Sequence, residues 1–439
     1  MGSGLSGIRY NIEKANRTDG RVQNLAPYIN VETLMNAHKE MDAEKARGVD
    51  EVSKDDYEVN LEANLENLID RMKNGSYWPQ PSRRTYIPKD GSEKGRPLGI
   101  SCYEDKLVEN VIAEILGMVY EPKFKQSSFG FRPGLSCHDA IREVIEMVQH
   151  RKVNYIVEAD IKSFFDTVDH EWLIKFLEYD IADKRFIEII KKFLNAGIME
   201  GGEWLDTEKG VPQGNGASPI MANVYLHYVL DLWFDFVVRK VCKGEVYLIR
   251  YCDDFVCCFQ NKWEAEKFHR SLIVRFAKFG LEVAPDKTKI LEFGRFAEKN
   301  RKERGEGKPE TFDFLGFTFY CGTDRKRRFY RCKVKSSSKR MRRKIREMKE
   351  WIKSNRTMKV RELIEKLNQK LRGYYQYYAV TDNSRDVRRY YNSTAWLLYK
   401  WLNRRSQCRS YTIDAFFKGL LKTIPLTVPH IKVSLFYQC

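Results

Sequence analysis

Residues 246–259, VYLIRYCDDFVCCF, constrain this chain more than any other stretch. Two β-branched and aromatic runs, 246–251 and 255–259, flank the adjacent carboxylates Asp253 and Asp254. Such runs favour strands, and aspartates favour the turn between them. The pattern predicts a β-hairpin that presents two carboxylates at its tip. Two aspartates between apolar strands are costly unless a cation neutralises them. Oxygen-only ligands suit Mg²⁺, which is commonly shared between one or two carboxylates and substrate phosphates. A solvated Asp-Asp turn gives the same tetrapeptide, so the rest of the chain must discriminate.

Charge is the next discriminant. The 439 residues carry a formal charge of +17. Residues 331–409 alone hold 24 Lys and Arg against 6 Asp and Glu, so the remainder is close to neutral. A basic segment joined to a neutral body points to a polyanion partner, above all nucleic acid; a solvated helix face is the bland reading. The length allows two to four domains. No apolar run approaches the ~18 residues of a membrane span. The ten cysteines include no C-x-x-C pair, which argues for reduced thiols in a cytosolic protein rather than zinc modules.

Read in order, residues 1–50 look like a loosely packed N-terminal extension. Residues 57–74 read as a helix with Leu61, Leu65, Leu68, Ile69 and Met72 on one stripe. Residues 83–89 and 94–100 look like short strands around an Asp90-Gly91 turn. This hairpin carries Arg83, Arg84, Lys89, Lys94 and Arg96, which suits a triphosphate or a charged edge strand. Residues 153–160 are a buried strand ending in Asp160. Residues 210–219, GVPQGNGASP, form a glycine-rich loop opening a helix over 220–238. A strand spans 312–320, an exposed loop 296–311, and the last third is helical over 338–354, 359–378 and 384–402.

A carboxylate at a strand end, a glycine-rich loop into a helix and a carboxylate hairpin recur in that order in two-metal polymerase palms. Attack of a primer 3′-hydroxyl on an α-phosphate needs charge neutralised at both attacking and leaving oxygens, which two Mg²⁺ ions about 4 Å apart supply. Asp160 and Asp253 are the candidate bridging ligands, with Asp254 beside them.

Several blocks then resemble bacterial group II intron reverse transcriptases, the intron-encoded maturases. They are Ile87-Pro88-Lys89, Arg96-Pro97-Leu98-Gly99-Ile100, Phe129-Gly130-Phe131-Arg132-Pro133, Asp160 with Phe164-Phe165-Asp166 and Asp169-His170, Gly210-Val211-Pro212-Gln213-Gly214, Tyr251-Cys252-Asp253-Asp254 and Phe314-Leu315-Gly316-Phe317. Leu371-Arg372-Gly373-Tyr374-Tyr375 and residues 400–407 resemble that family's thumb, or maturase, domain. The resemblance covers nearly the full length. It departs at Cys252, where alanine is usual, and at Asn215, where a second glycine is common. From the blocks present, neither a DNA-binding extension nor a cysteine-rich nuclease domain is expected.

The resemblance implies an α+β right-hand polymerase: an extension over 1–50, fingers over 51–152, a palm with an antiparallel sheet over 153–330 and a helical basic thumb over 331–439. It implies two Mg²⁺ ions, with Mn²⁺ able to substitute, on Asp160, Asp253 and Asp254. Lys287, or else Lys289, would protonate the pyrophosphate leaving group. Lys89 and Arg96 would hold the incoming triphosphate, and Gln213 would sit against nucleotide and template. Phe165 would stack beneath the sugar and exclude a 2′-hydroxyl, one of Phe164 and Phe165 packing in the core. Leu315 and Gly316 would form the primer grip, and Arg340, Arg343, Lys344, Arg372, Tyr375, Arg404 and Arg405 would contact nucleic acid. The implied partners are an RNA template, a DNA or RNA primer, deoxynucleoside triphosphates and a structured RNA such as a group II intron, in the bacterial cytoplasm and with no membrane. A recruited role in antiphage defence or DNA repair is the alternative, as is a splicing cofactor with weak polymerase activity.

Overall fold

The computed structural model describes residues 5–18, 20–89, 92–285, 288–324, 326, 328–405 and 410–436. In chain order, the strands are β1 (Ser82–Lys89), β2 (Ser92–Ile100), β3 (Tyr155–Ala159), β4 (Ile198–Glu200), β5 (Glu203–Leu205), β6 (Val246–Tyr251), β7 (Asp254–Phe259), β8 (Lys289–Glu292), β9 (Phe312–Phe314), β10 (Phe317–Thr323) and β11 (Tyr330–Ser336). They form three sheets, ordered β2-β1-β4-β5, β6-β7-β3-β8 and β11-β10-β9.

The β6-β7-β3-β8 sheet is entirely antiparallel, and its side chains alternate between two cores, as the period of two requires. Val157 and Ala159 of β3 with Phe255, Cys257 and Phe259 of β7 face the first core. Helix Lys262–Lys278 packs on that face, and helices Tyr103–Tyr120 and Ser218–Leu226 belong to the same core. Ile156 with Val256 and Cys258 faces the second core, built with helix Cys137–His150 and the basic helices Ser338–Ser354, Val360–Tyr378 and Ser384–Leu402. The sheet is thus a partition between two cores; helix Cys137–His150 packs on its second face, and the basic helices belong to that second core.

Four expectations are corrected. The N-terminal fifty residues are not loosely packed: Leu5, Ile8, Val22, Leu25, Leu34 and Met41 are buried in the first core. Ile8 and Leu34 lie on two short helices, Ser6–Asn16 and Val31–Glu40, that dock on helix Tyr103–Tyr120, and the others lie in the segments beside them. The expected strand over 312–320 is two strands, because Leu315 (φ 49°) and Gly316 (φ 82°) are both left-handed and turn the chain back. The expected helix over 220–238 starts at Ser218 and widens into π-helical turns at His227–Asp231 and Phe234–Val238. The charged segment expected to be a loop contains helix Ala297–Glu303. Asp90 and Gly91 lie outside the described residues.

Among the described residues, no helix is long and apolar enough to cross a membrane.

Candidate active site

The β6–β7 hairpin closes with Tyr251 paired to Asp254, leaving Cys252 and Asp253 as its two-residue turn. Cys252 is left-handed (φ 58°) and buried, a strained conformation for a residue with a Cβ. The fit around the turn is close: a Cβ on Gly130 would sit 2.5 Å from the Cys252 backbone nitrogen. β3 lies antiparallel to β7 with Ala159 opposite Phe255. One step on, Asp160 stands opposite Asp254, and strand alternation gives both the face of the second core. The Asp160 carbonyl accepts from the Ala284 amide at 2.8 Å, pinning the strand end. Two distant stretches of sequence are thereby brought together by register.

The crowding shows in the proton affinities. Burial and then the Asp160 charge push the Asp253 carboxyl above its usual range, while Arg96 pulls it down. Asp254 is pushed up to about 7 by burial, Asp253 and Asp160, opposed by the Leu315 amide and Arg340. Glu158, which the sequence reading did not single out, is pushed up to about 7 by burial, with Asp313 and Asp160 adding to it. Only an alternation count from Asp160 would have placed Glu158 on the same face. Among the described residues no three His, Cys, Asp or Glu side chains are already gathered as a cation cage. The donor chemistry nonetheless fits a hard divalent cation: oxygens only, mutually repelling and desolvated.

Across from the turn, Arg96 of β2 is exposed and its charge reaches Asp253. Lys89 ends β1 opposite Ser92, its side chain outside the described residues. The glycine-rich loop is tied to β2 by the Gly99 amide, which donates to the Gln213 carbonyl at 2.7 Å. Gly214 (φ 104°) makes this approach possible, since a Cβ there would lie 3.0 Å from the Gly99 carbonyl oxygen. From below, Glu109 accepts from Ser101 (2.6 Å), the Asn215 side-chain amide (2.6 Å) and the Gly216 amide (3.2 Å). Asn215, the departure from the family pattern, therefore has a buried partner. Phe164 is 2% exposed and packs on Tyr225, whereas Phe165 is half-buried. Phe165 and Gln213 share a cleft of about 320 Å³ with Arg84, Pro97 and Lys209. Lys287 lies outside the described residues; Lys289 is exposed on β8, opposite Glu158.

The Leu315-Gly316 turn joins the carboxylates to the basic helices. The Leu315 amide donates to Asp254 Oδ2 at 3.4 Å, and its carbonyl accepts from the Tyr377 hydroxyl at 2.6 Å. Arg340 lies close against Gly316. Arg340, Arg343 and Lys344 line a cleft of about 600 Å³ with Lys370 and Tyr377, although Arg343 and Lys344 both pair with Glu347. Arg372 is exposed. Tyr375 is not at a surface: it is 1% exposed and its hydroxyl donates to the Thr427 carbonyl at 3.0 Å, so its ring fills the core between helices. Arg405 is half-buried and donates to the Met358 carbonyl at 2.8 Å. Arg404 is exposed and lines a second cleft, of about 1610 Å³, with Arg385, Arg388, Arg389, Lys400 and Trp396. Helical spacing reveals which of these positions share a face, but not which face the sheet covers.

Residues 87–319 match the model of the reverse transcriptase (RNA-dependent DNA polymerase) family, and residues 338–412 match that of the group II intron, maturase-specific domain. The chain is similar to the group II intron-encoded protein LtrA of Lactococcus lactis subsp. cremoris, with 41% identity over 179 residues, or 40% of this chain and 30% of LtrA. It is also similar to protein YkfC of Escherichia coli, with 37% identity over 275 residues, or 55% of this chain and 71% of YkfC. Telomerase from Candida albicans in complex with a TWJ fragment of telomeric RNA superposes at a TM-score of 0.45 with 13% identity, covering 82% of this chain and 65% of that one. With the polymerase model matched over more than half its length, the chain belongs to the reverse transcriptase family, as an α+β right-hand fold joined to a group II intron maturase-specific domain.

Proposed function

We propose that this chain is an RNA-directed DNA polymerase that extends a DNA or RNA primer on an RNA template and also binds a structured RNA. The observation that carries the reading is the register that brings Asp160 to the Asp253-Asp254 turn from a strand ninety-odd positions earlier. Asp160, Asp253 and Asp254 would hold two Mg²⁺ ions, with Mn²⁺ as substitute. Bound there, the cations supply charge neutralisation for the attacking and leaving oxygens.

The chain's own residues do the rest. Arg96, with Lys89, draws the triphosphate toward the carboxylates. Gln213 and the loop tied to β2 form the wall against which nucleotide and template lie. Phe165 forms the floor under the sugar. Leu315 and Gly316 hold the primer end between the carboxylates and the basic helices. Lys287 is the proposed acid for the leaving pyrophosphate. On this reading the fingers run over 51–152, the palm over 153–330 and the thumb over 331–439, and residues 1–50 are part of the packed body. Arg340, Arg343, Lys344 and Arg372 serve the primer–template. The Arg388, Arg389 and Arg404 face takes structured RNA, such as an intron.

Primer extension tests it. Asp160→Ala, and Asp253→Ala combined with Asp254→Ala, should each abolish extension while leaving RNA binding within about twofold. Extension within tenfold of wild type in either protein would remove the assignment.

A further inference from the structure

Arg250 is the largest fully buried side chain and is 0% exposed. It precedes the Tyr251-Cys252-Asp253-Asp254 turn and points beneath it. Its Nε and Nη2 donate to the two oxygens of Asp231 at 2.8 and 2.5 Å. Its Nη1 donates to Asn223 Oδ1 at 2.9 Å and to the Cys252 carbonyl at 3.0 Å. Asn223 in turn donates to the Gly130 carbonyl at 2.7 Å, and Gly130 is the residue pressed against the Cys252 backbone. The main chain of Arg250 is held as well, donating to Ser127 and accepting from Phe129, both at 2.8 Å.

An ion pair this deep is expensive to desolvate and is a poor way to gain stability alone. What this one does is geometric. A planar guanidinium offers donors in a fixed fork. Two satisfy a carboxylate, and two more reach an amide oxygen and the carbonyl inside the strained turn. Asp231 sits in the π-helical turn His227–Asp231, a local widening that often marks a functional position.

We propose that Arg250 is a positioning residue for the metal-binding turn: neutralised by Asp231 and aligned by Asn223, it fixes the Cys252 carbonyl and thereby the direction of the Asp253 carboxylate. This rests on the metal-binding reading of Asp253 given above. Outer partners that orient ligands typically change metal affinity or activity by about 10- to 100-fold when removed.

The test uses the full chain and Mn²⁺ as probe, followed by electron paramagnetic resonance without turnover. Arg250→Lys keeps the charge but loses the fork. Asn223→Ala breaks the link to Arg250 and Gly130 without touching either charge, so it is the arm that remains if Arg250→Lys fails to fold. The expected result for a variant with wild-type circular dichroism and hybrid affinity is Mn²⁺ binding weakened about tenfold, with kcat reduced and the deoxynucleotide KM unchanged. Native Mn²⁺ affinity in folded Asn223→Ala would overturn the proposal. Asp253→Asn separates the two readings. If it binds Mn²⁺ like wild type, the metal assignment of Asp253 fails and the positioning role falls with it. If it loses Mn²⁺ while Asn223→Ala does not, only the positioning role fails.

Discussion

Phe164 and Phe165 are adjacent, identical in chemistry and divided by packing alone. Phe164 points into the first core against Tyr225, and Phe165 lines the cleft with Gln213. Burying an unpaired hydroxyl against such a ring costs about 1–3 kcal/mol, and steric overlap adds to it. Phe165→Val should therefore admit ribonucleotides, shifting the ratio of kcat/KM for the two sugars by about 10²-fold at ~1.4 kcal/mol per decade. Phe164→Ala should instead lower the melting temperature. A sugar ratio that moves only in the Phe164 variant would reverse the assignment.

At the scale of elements, Glu109 links helix Tyr103–Tyr120 to the glycine-rich loop, and burial pushes its carboxyl up to about 8. The folded value lies above the ordinary carboxylate one, so folding takes up a proton between about pH 4.5 and 8. Stability on this account falls as pH rises through that window and levels off above it, with a slope of up to ~1.4 kcal/mol per pH unit. Glu109→Gln should flatten the wild-type dependence, as measured by urea unfolding at pH 5 and pH 8; equal slopes for both proteins would show that Glu109 does not carry it. The β9–β10 turn allows a second test. Gly316 combines φ 82° with neighbours at 3.1 and 3.2 Å from a would-be Cβ, namely Arg340 and the Tyr378 hydroxyl. Gly316→Ala should destabilise by about 1 kcal/mol or more and raise the KM for primer–template, while Gly322→Ala, at an ordinary φ on the adjoining strand, should not raise that KM.

Over the whole molecule, the shared second core changes how the basic helices can be tested. Removing residues 339–439 would strip Met348, Ile352, Leu363, Leu367, Leu371 and Leu398 from the second core. At roughly 1.5–3 kcal/mol per buried apolar side chain, such a deletion should destabilise the body as well as remove charge, so it reports little on binding. Charge removal is the clean experiment. If the basic helices contact about six phosphates, RNA affinity should fall about 10³-fold between 50 and 200 mM salt. Arg388→Gln with Arg389→Gln and Arg404→Gln should reduce that slope by about three phosphate equivalents and weaken binding of a folded RNA, yet spare extension of a short primer–template. An unchanged salt slope in the triple variant would place the RNA elsewhere.

The carboxylate hairpin, the strand ending in Asp160, the glycine-rich loop and the three basic helices were legible in the sequence because each is written in local periodicity and turn chemistry. The order of the blocks carried the family, and the charge imbalance is what motivates the proposed polyanion partner. Side-chain direction over long range was not legible. Tyr375 reads as one more aromatic beside arginines until helix Val360–Tyr378 meets the tail at Thr427. Residues 1–50 read as an appendage until Leu25 and Leu34 are buried in the first core. Arg250 reads as one cation among many, and only the docking of β6 against a π-widened helix seals it under the turn with Asp231. Local sequence sets which backbone forms; which face is covered, and which charge is buried, depends on surfaces contributed by residues far away in the chain.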